Sequence, residues 1–414
     1  MSNEYTNQEH LYNDADSFED VATETLKRVQ EAFVQLIAAV PGPTDRPSEI
    51  QKTLNLHKTL AWKVSKIIES TDMAGVYSRL PGQAAVVKIL SSARSTGVPQ
   101  PRIEAVQSAL TELDKFVNKH AGHRDTLESI LSQLSSEDAS VADLGYRKDG
   151  FRATSHVFGI QARTIVRSVI AYPSQTKDML DTAILFGAVD FMRLRSDRPW
   201  RINRWRPTDN DGQPIPVNLQ PIEPDKSGLT PLLKKFCSKP LPTVRRRIED
   251  DQAISDEVAA GRIGTPGAIS YFSGEYIPEL MHSYRTDDDG IFAQNLELRT
   301  PCRTVVFDHL VHRDLFGRVS PQLRVFGELA GRPLYSTLRS NVDQLEIFDR
   351  VEYLGCGPNA MCSSNVPRYP QMISYICDKM NWSVDELDVY RLRLEYPYVP
   401  TTITLNYPLP ERSK

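Results

Sequence analysis

The spacing of apolar residues changes partway along the chain, and that change limits the folds open to it. From Phe18 to about residue 140, apolar side chains return every three or four positions, the spacing that lines one face of a helix. In Phe18 to Val40 the face holds Val21, Leu26, Val29, Phe33, Leu36 and Ile37, and Glu24, Lys27, Arg28 and Glu31 largely avoid it. Pro41-Gly42-Pro43 ends this helix, because proline cannot continue the hydrogen-bond ladder. Further helices are predicted from Pro47, over His57 to Ser70, over Gln83 to Thr96, over Pro101 to Lys119 and over Asp125 to Leu134.

Beyond Leu144 the character shifts. Phe158 to Ala171 and Thr176 to Arg195 are predicted as two more helices, the second burying Leu180, Ile184, Phe186 and Val189. Prolines crowd the stretch from Pro207 to Pro242, so residues 207–243 are expected to be a loop-rich connection. Runs of β-branched, aromatic and leucine residues then predict strands at Thr304 to Val311, Gln322 to Leu329 and Gln344 to Leu354. A helix over Pro370 to Met380 and strands over Val389 to Tyr396 and Thr401 to Leu405 follow. The expected fold class is α+β: an all-helical N-terminal domain, then a mixed α/β domain with a largely antiparallel sheet. Its expected parts are a flexible acidic tail over 1–17, a helical domain over 18–140 and the α+β domain over 141–414. A chain of 414 residues exceeds the roughly 100–200 that one domain usually holds.

The net charge of −4 argues against indiscriminate binding to nucleic acid, although it leaves room for one local basic surface. No stretch approaches the roughly 18 apolar residues that a membrane span requires. Five scattered cysteines, Cys237, Cys302, Cys356, Cys362 and Cys377, fit reduced thiols better than a disulfide framework. A cytoplasmic protein is expected, away from membranes and without a cofactor or a bound metal.

One segment stands out: RPSEIQKTLNLHKTLAWKVSKII, Arg46 to Ile68. Pro47 suits the first turn of a helix, and Glu49 suits its positive end. Ile50 and Leu54 form an inner face, Asn55 suits a left-handed turn position, and Leu56 plugs the gap before a second helix. That second helix begins at His57 or Lys58 and turns Leu60, Val64 and Ile67 or Ile68 inward. The segment resembles the helix-turn-helix of bacterial transcription regulators. No two-strand wing follows, since Asp72 to Gln83 lacks alternation. The resemblance implies a DNA-binding regulator that pairs as a homodimer on double-stranded DNA. Its contacts would be Arg46, Lys52, His57, Lys58, Thr59, Trp62, Lys63 and Lys66, lysines reaching phosphates and Thr59 a base edge. The C-terminal domain would then sense a ligand or dimerise.

Other clusters are weaker. Arg201, Arg204 and Arg206, beside Trp200 and Trp205, form a possible second basic surface. Arg245-Arg246-Arg247 is expected to make ion pairs on a helix surface with Glu249, Asp250 and Asp251. Asp308, His309, His312, Arg313 and Asp314 include the string His-Arg-Asp-Leu of a kinase catalytic loop, but Val319 stands where its asparagine is needed. Two histidines are a poor zinc site, and the Cys356–Cys362 pair cannot complete one. Phosphate-loop, nucleophile-elbow, zincin and dinucleotide motifs are all missing from the sequence. Alternatives to the regulator are therefore a non-catalytic interaction or scaffold protein, or an enzyme of unfamiliar design. For the enzyme, the cluster from Asp308 to Asp314 beside the Cys356–Cys362 loop is the place to look.

Overall fold

The computed structural model describes residues 18–134, 139–195, 199–206, 216–224, 231–250, 252–286, 290–327 and 344–412. The expected tail over 1–17 and parts of the expected connection (207–215 and 225–230) lie outside them. The fold is α+β, and the chain divides into two compact units, Met1–Asp143 and Leu144–Lys414.

Among its described residues the first unit is helical throughout: α1 (Phe18–Ala38), α2 (Pro47–Thr53), α3 (Lys58–Glu69), α4 (Met73–Arg79), α5 (Gln83–Ser95), α6 (Gln100–His120) and α7 (Arg124–Leu134). The following helix, α8 (Ala139–Phe158), runs on into the second unit. Leu26, Val29, Phe33 and Leu36 of α1 enter one core with Ile50, Leu54, Val64, Ile67, Ile103, Val106 and Leu113. Full burial of such side chains contributes roughly 1.5–3 kcal/mol each. Gln30 of α1 also holds the end of α3, its amide donating to the carbonyls of Ile67 (2.9 Å) and Ser70 (2.8 Å). These are acceptors that the last turn of a helix leaves open.

The second unit is built on a seven-stranded sheet in the order β12-β13-β9-β1-β2-β7-β4. Its members are β1 (Ile160–Pro173), β2 (Met179–Arg193), β4 (Gln220–Pro221), β7 (Ile269–His282), β9 (Cys302–His312), β12 (Val351–Cys356) and β13 (Leu387–Glu395). Only β1 and β9 pair in parallel; the other pairs are antiparallel. A second sheet, β11-β10-β14-β8, comprises β8 (Ile291–Leu298), β10 (Gln322–Gly327), β11 (Gln344–Leu345) and β14 (Thr401–Pro408). A third, β3-β6-β5, comprises β3 (Trp200–Trp205), β5 (Val244–Ile248) and β6 (Ile254–Val258). Among the described residues, α9 (Arg313–Phe316) and α10 (Tyr369–Met380) join most of α8 as the α-helices of the unit.

Successive strand residues face opposite ways, and two hydrogen bonds show what covers each face of the large sheet. Ser168 of β1 bonds Tyr369 of α10, and on β9 His309, in register with Val169, bonds Tyr407 of β14. The sheet is thus sandwiched between α10 and the β8–β14 sheet, and its central strands are buried on both sides.

That double burial corrects two expectations. Phe158 to Ala171 and Thr176 to Arg195 are not helices but the central strands β1 and β2. Every residue from Thr164 to Ala171 and from Leu180 to Val189 is buried. A strand covered on both faces shows no alternation, so its continuous apolar run looks like a helix. The arginine triplet Arg245 to Arg247 is likewise not helical; it lies in strand β5, where alternation turns Arg246 inward to Asp256 and Glu275. The strand predicted over Gln344 to Leu354 is interrupted between Leu345 and Val351, and the end of that over Gln322 to Leu329 lies outside the described residues.

Candidate nucleic-acid interface

Two helices and a tight turn occupy Arg46 to Ile68. Pro47 opens α2, and the Arg46 N–H donates to Glu49 Oε2 at 3.1 Å, tying the helix start to its own first turn. Asn55 takes a left-handed conformation with φ of 46°, which lets the chain reverse within four residues. On either side of it Leu54 and Leu56 are buried, at 0% and 8% exposure. Ser92 of α5 donates to the Leu54 carbonyl, which anchors the turn to a third helix. His57 caps α3, its Nδ1 accepting from the Thr59 N–H at 3.4 Å.

The left-handed turn gives a direct test. An L-residue without a short polar side chain loses roughly 1–2 kcal/mol in this region. Asn55→Ala should therefore lower stability by about 1 kcal/mol, and Asn55→Gly should leave it unchanged or raise it, both read from urea midpoints. Equal midpoints for the Ala and Gly variants would show that the turn does not hold φ positive.

On α3 the inner face is Ala61, Val64, Ser65 and Ile67, with Leu60 and Ile68 half-buried. Arg46, Lys52, His57, Lys58, Thr59 and Trp62 are exposed, and Lys63 and Lys66 half-buried. The three α3 lysines differ in their surroundings. Lys66 Nζ is 2.6 Å from Glu69 Oε2, and that hydrogen bond, with a second from Ser65, lowers the pKa of the Glu69 carboxyl. Among the described residues, no carboxylate pairs with Lys58 or Lys63.

Between the first half of α3 and α5 lies an open groove of about 640 Å³. Its polar walls are His57, Thr59 and Lys63 on one side and Lys88, Ser91 and Ser95 on the other. Lys88 is exposed, and α5 lies outside Arg46 to Ile68, so the spacing of that segment does not point to it. A lysine five residues into a helix is a signal only once the tertiary fold sets that helix beside α3. The groove thus carries hydroxyl groups and two cations, an arrangement suited to an anionic backbone.

The other clusters have different roles. Arg201 is half-exposed and bonds Glu249 at 2.9 Å. Arg204 is enclosed by Glu249 (3.1 Å) and the buried Glu297 (2.9 Å), and Arg206 is also engaged. Carboxylates take up Arg201 and Arg204 of this expected second basic surface, and both lie on β3 in the small third sheet. Asp308 and His309, adjacent in sequence, point to opposite faces of β9. Both Asp308 oxygens bond Arg391, at 2.8 and 2.7 Å, and Tyr369 adds a third bond at 2.8 Å. Arg391 also donates to the carbonyls of Met361 and Cys362, so this loop does meet the Asp308 cluster. Farther along, Arg313 Nη2 lies 3.0 Å from Cys356 Sγ. The contacts around Asp308 are saturated and buried, which describes a clamp between strand, helix and loop. Among the described residues, no group of three or more His, Cys, Asp or Glu side chains is placed to hold a metal ion. No helix there is long and apolar enough to cross a membrane.

No family model matches this chain, and no curated protein is significantly similar to it.

Proposed function

We propose that the first unit binds double-stranded DNA through α3, as part of a cytoplasmic transcription regulator whose second unit senses a ligand or dimerises. The observation that carries this reading is the pair Lys58 and Lys63: two cations without carboxylate partners among the described residues, on the helix that follows the tight turn at Asn55. Lys58 opens the helix, where its charge opposes the macrodipole, and a phosphate docking there would relieve that opposition. Lys88 across the groove extends the same charge. Thr59 in the first turn of α3 and Trp62 one turn from its start would then meet base edges. Pairing of two copies would supply the second half-site that one short helix needs.

Fluorescence polarisation with duplex fragments tests this. Each lysine–phosphate contact adds roughly 0.9 to the slope of log affinity against log salt. Lys58→Ala/Lys63→Ala should reduce that slope by about 2 and weaken binding roughly tenfold or more near 0.1 M salt. Lys66→Ala should change it less, because Glu69 already holds that ammonium. Binding without salt dependence, or equal slopes for all three proteins, would remove DNA from the account.

One observation favours a second reading, a non-catalytic protein-interaction module. Trp62 and Val87, on the two helices that border the groove, are 46% and 65% exposed. Loss of a protein partner on Trp62→Ala, with no DNA binding in the parent, would select it.

A further inference from the structure

A second cavity lies wholly within the α+β unit, at the end of β2. It has a volume of about 510 Å³, within the roughly 300–1,000 Å³ of small-molecule sites. The segment before β5, the end of β6 and the loop leading to β7 wall it. Arg193, the last residue of β2, forms its floor and is only 2% exposed. The guanidinium lies over the Phe191 ring, 5.2 Å from its centroid, and Nη2 donates to the Ala259 carbonyl. Nε is buried with no acceptor.

This arginine differs from three others that are also enclosed. Arg147 holds Asp349 at 3.0 Å, Arg246 holds Asp256 at 2.8 Å and Arg391 holds Asp308 at 2.7 Å. Arg193 has no carboxylate among the described residues, and burial lowers its pKa with no acidic neighbour to oppose it. A buried cation without a carboxylate beside it is costly, and an anion from solution would offset that cost. Among the described residues no acidic side chain lines the cavity, and Lys239 and Arg262, both exposed, add two cations to its wall. Among the described residues Lys239 reaches a backbone carbonyl, that of Lys234 at 3.4 Å, and no carboxylate. The loop is built for close approach: a Cβ on Gly261 would sit 3.2 Å from Arg193 Nη1, and one on Gly267 would collide with the Arg262 carbonyl.

We propose that this cavity binds a small organic oxyanion, a carboxylate or a phosphate monoester, with its charged end on Arg193 and its apolar body against Pro242, Val258 and Ile269. The planar fork of a guanidinium matches both head groups, and Lys239 and Arg262 draw the anion in. This gives chemical content to the ligand-sensing role proposed for the second unit and rests on that part of the reading, but not on DNA binding.

The test is thermal unfolding and calorimetric titration of the full chain without DNA, at constant ionic strength, so that it fails or succeeds apart from the DNA assay. The probes are inorganic phosphate, phenyl phosphate and benzoate, with chloride as the blank. A saturable rise in the unfolding midpoint with either phosphate probe assigns the phosphate class, and one with benzoate alone the carboxylate class. Lys239→Ala/Arg262→Ala changes only exposed side chains and should weaken binding at least tenfold with the unliganded midpoint unchanged. Arg193→Lys keeps the charge, loses the fork and should weaken it further. If that variant does not fold, the rim variant decides. No saturable shift with any probe, or an undiminished one in the rim variant, overturns the site.

Discussion

Asp308→Ala is expected to destabilise the second unit by about 3–5 kcal/mol, the usual result of stranding one member of a buried ion pair. At roughly 2–4 °C per kcal/mol for a domain of this size, the unfolding midpoint should fall by about 10 °C. The cause lies in what Asp308 holds. Its side chain has no solvent exposure, and burial pushes its carboxyl pKa up while Arg391 and the Tyr369 hydroxyl pull it back. Arg391 in turn fixes the Met361 and Cys362 carbonyls, and Tyr369 begins α10. One carboxylate therefore ties a central strand, a neighbouring strand, a loop and the covering helix together. Removing it leaves a buried guanidinium with two carbonyls and no counter-charge. Asp308→Leu/Arg391→Met should recover much of the loss, since replacing both partners with apolar groups abolishes the stranded charge. A single-variant loss below about 1 kcal/mol would mean that water reaches Arg391 and that the clamp is not closed.

Sequence and structure meet in some places and part in others for physical reasons. The helices of the first unit could be read because each buries one stripe and leaves the rest wet, as α1 does with Leu26, Val29, Phe33 and Leu36. Strands β10 and β13 each keep some partly exposed residues and are bounded by turn signals, which makes them legible. Strands β1 and β2 did not, since sheet on one side and helix or sheet on the other bury every residue through their middles. The same blindness applies to charge. Arg193, Arg204 and Arg246 look alike in the sequence, but Arg204 and Arg246 face carboxylates brought from distant segments and Arg193 faces a cavity. From Arg46 to Ile68 the local chemistry of Pro47, Asn55 and Leu56 is near-neighbour information, which sequence carries well. Lys88 reaches the groove only through tertiary packing, which it does not. The run from Asp308 to Asp314 misleads for a simpler reason: in a strand, adjacent residues part company, so a cluster in sequence is two environments in space.

His309 shows that parting most clearly, and its expected signature is a pH dependence. It is buried to 1% exposure with Nε2 2.7 Å from the Tyr407 hydroxyl, between Phe292 and Tyr407. Burial lowers its pKa from 6.5 to about 3. The sign follows from proton uptake. Below pH 6.5 the unfolded chain gains a proton on this ring that the folded chain refuses, so folding becomes less favourable as pH falls. The stabilisation is fully present above pH 6.5 and is lost across the window down to about pH 3, at up to roughly 1.4 kcal/mol per pH unit. Other groups titrate in that window, and the comparison with His309→Gln isolates this one, because glutamine can still meet Tyr407 and does not ionise. Denaturant midpoints between pH 7 and 4 should fall more steeply for the parent protein than for the variant. The gap between them should close toward acid, since the variant begins less stable and loses less. Parallel curves would show that the ring accepts its proton in the folded state, and that the layer between β9 and β14 admits water.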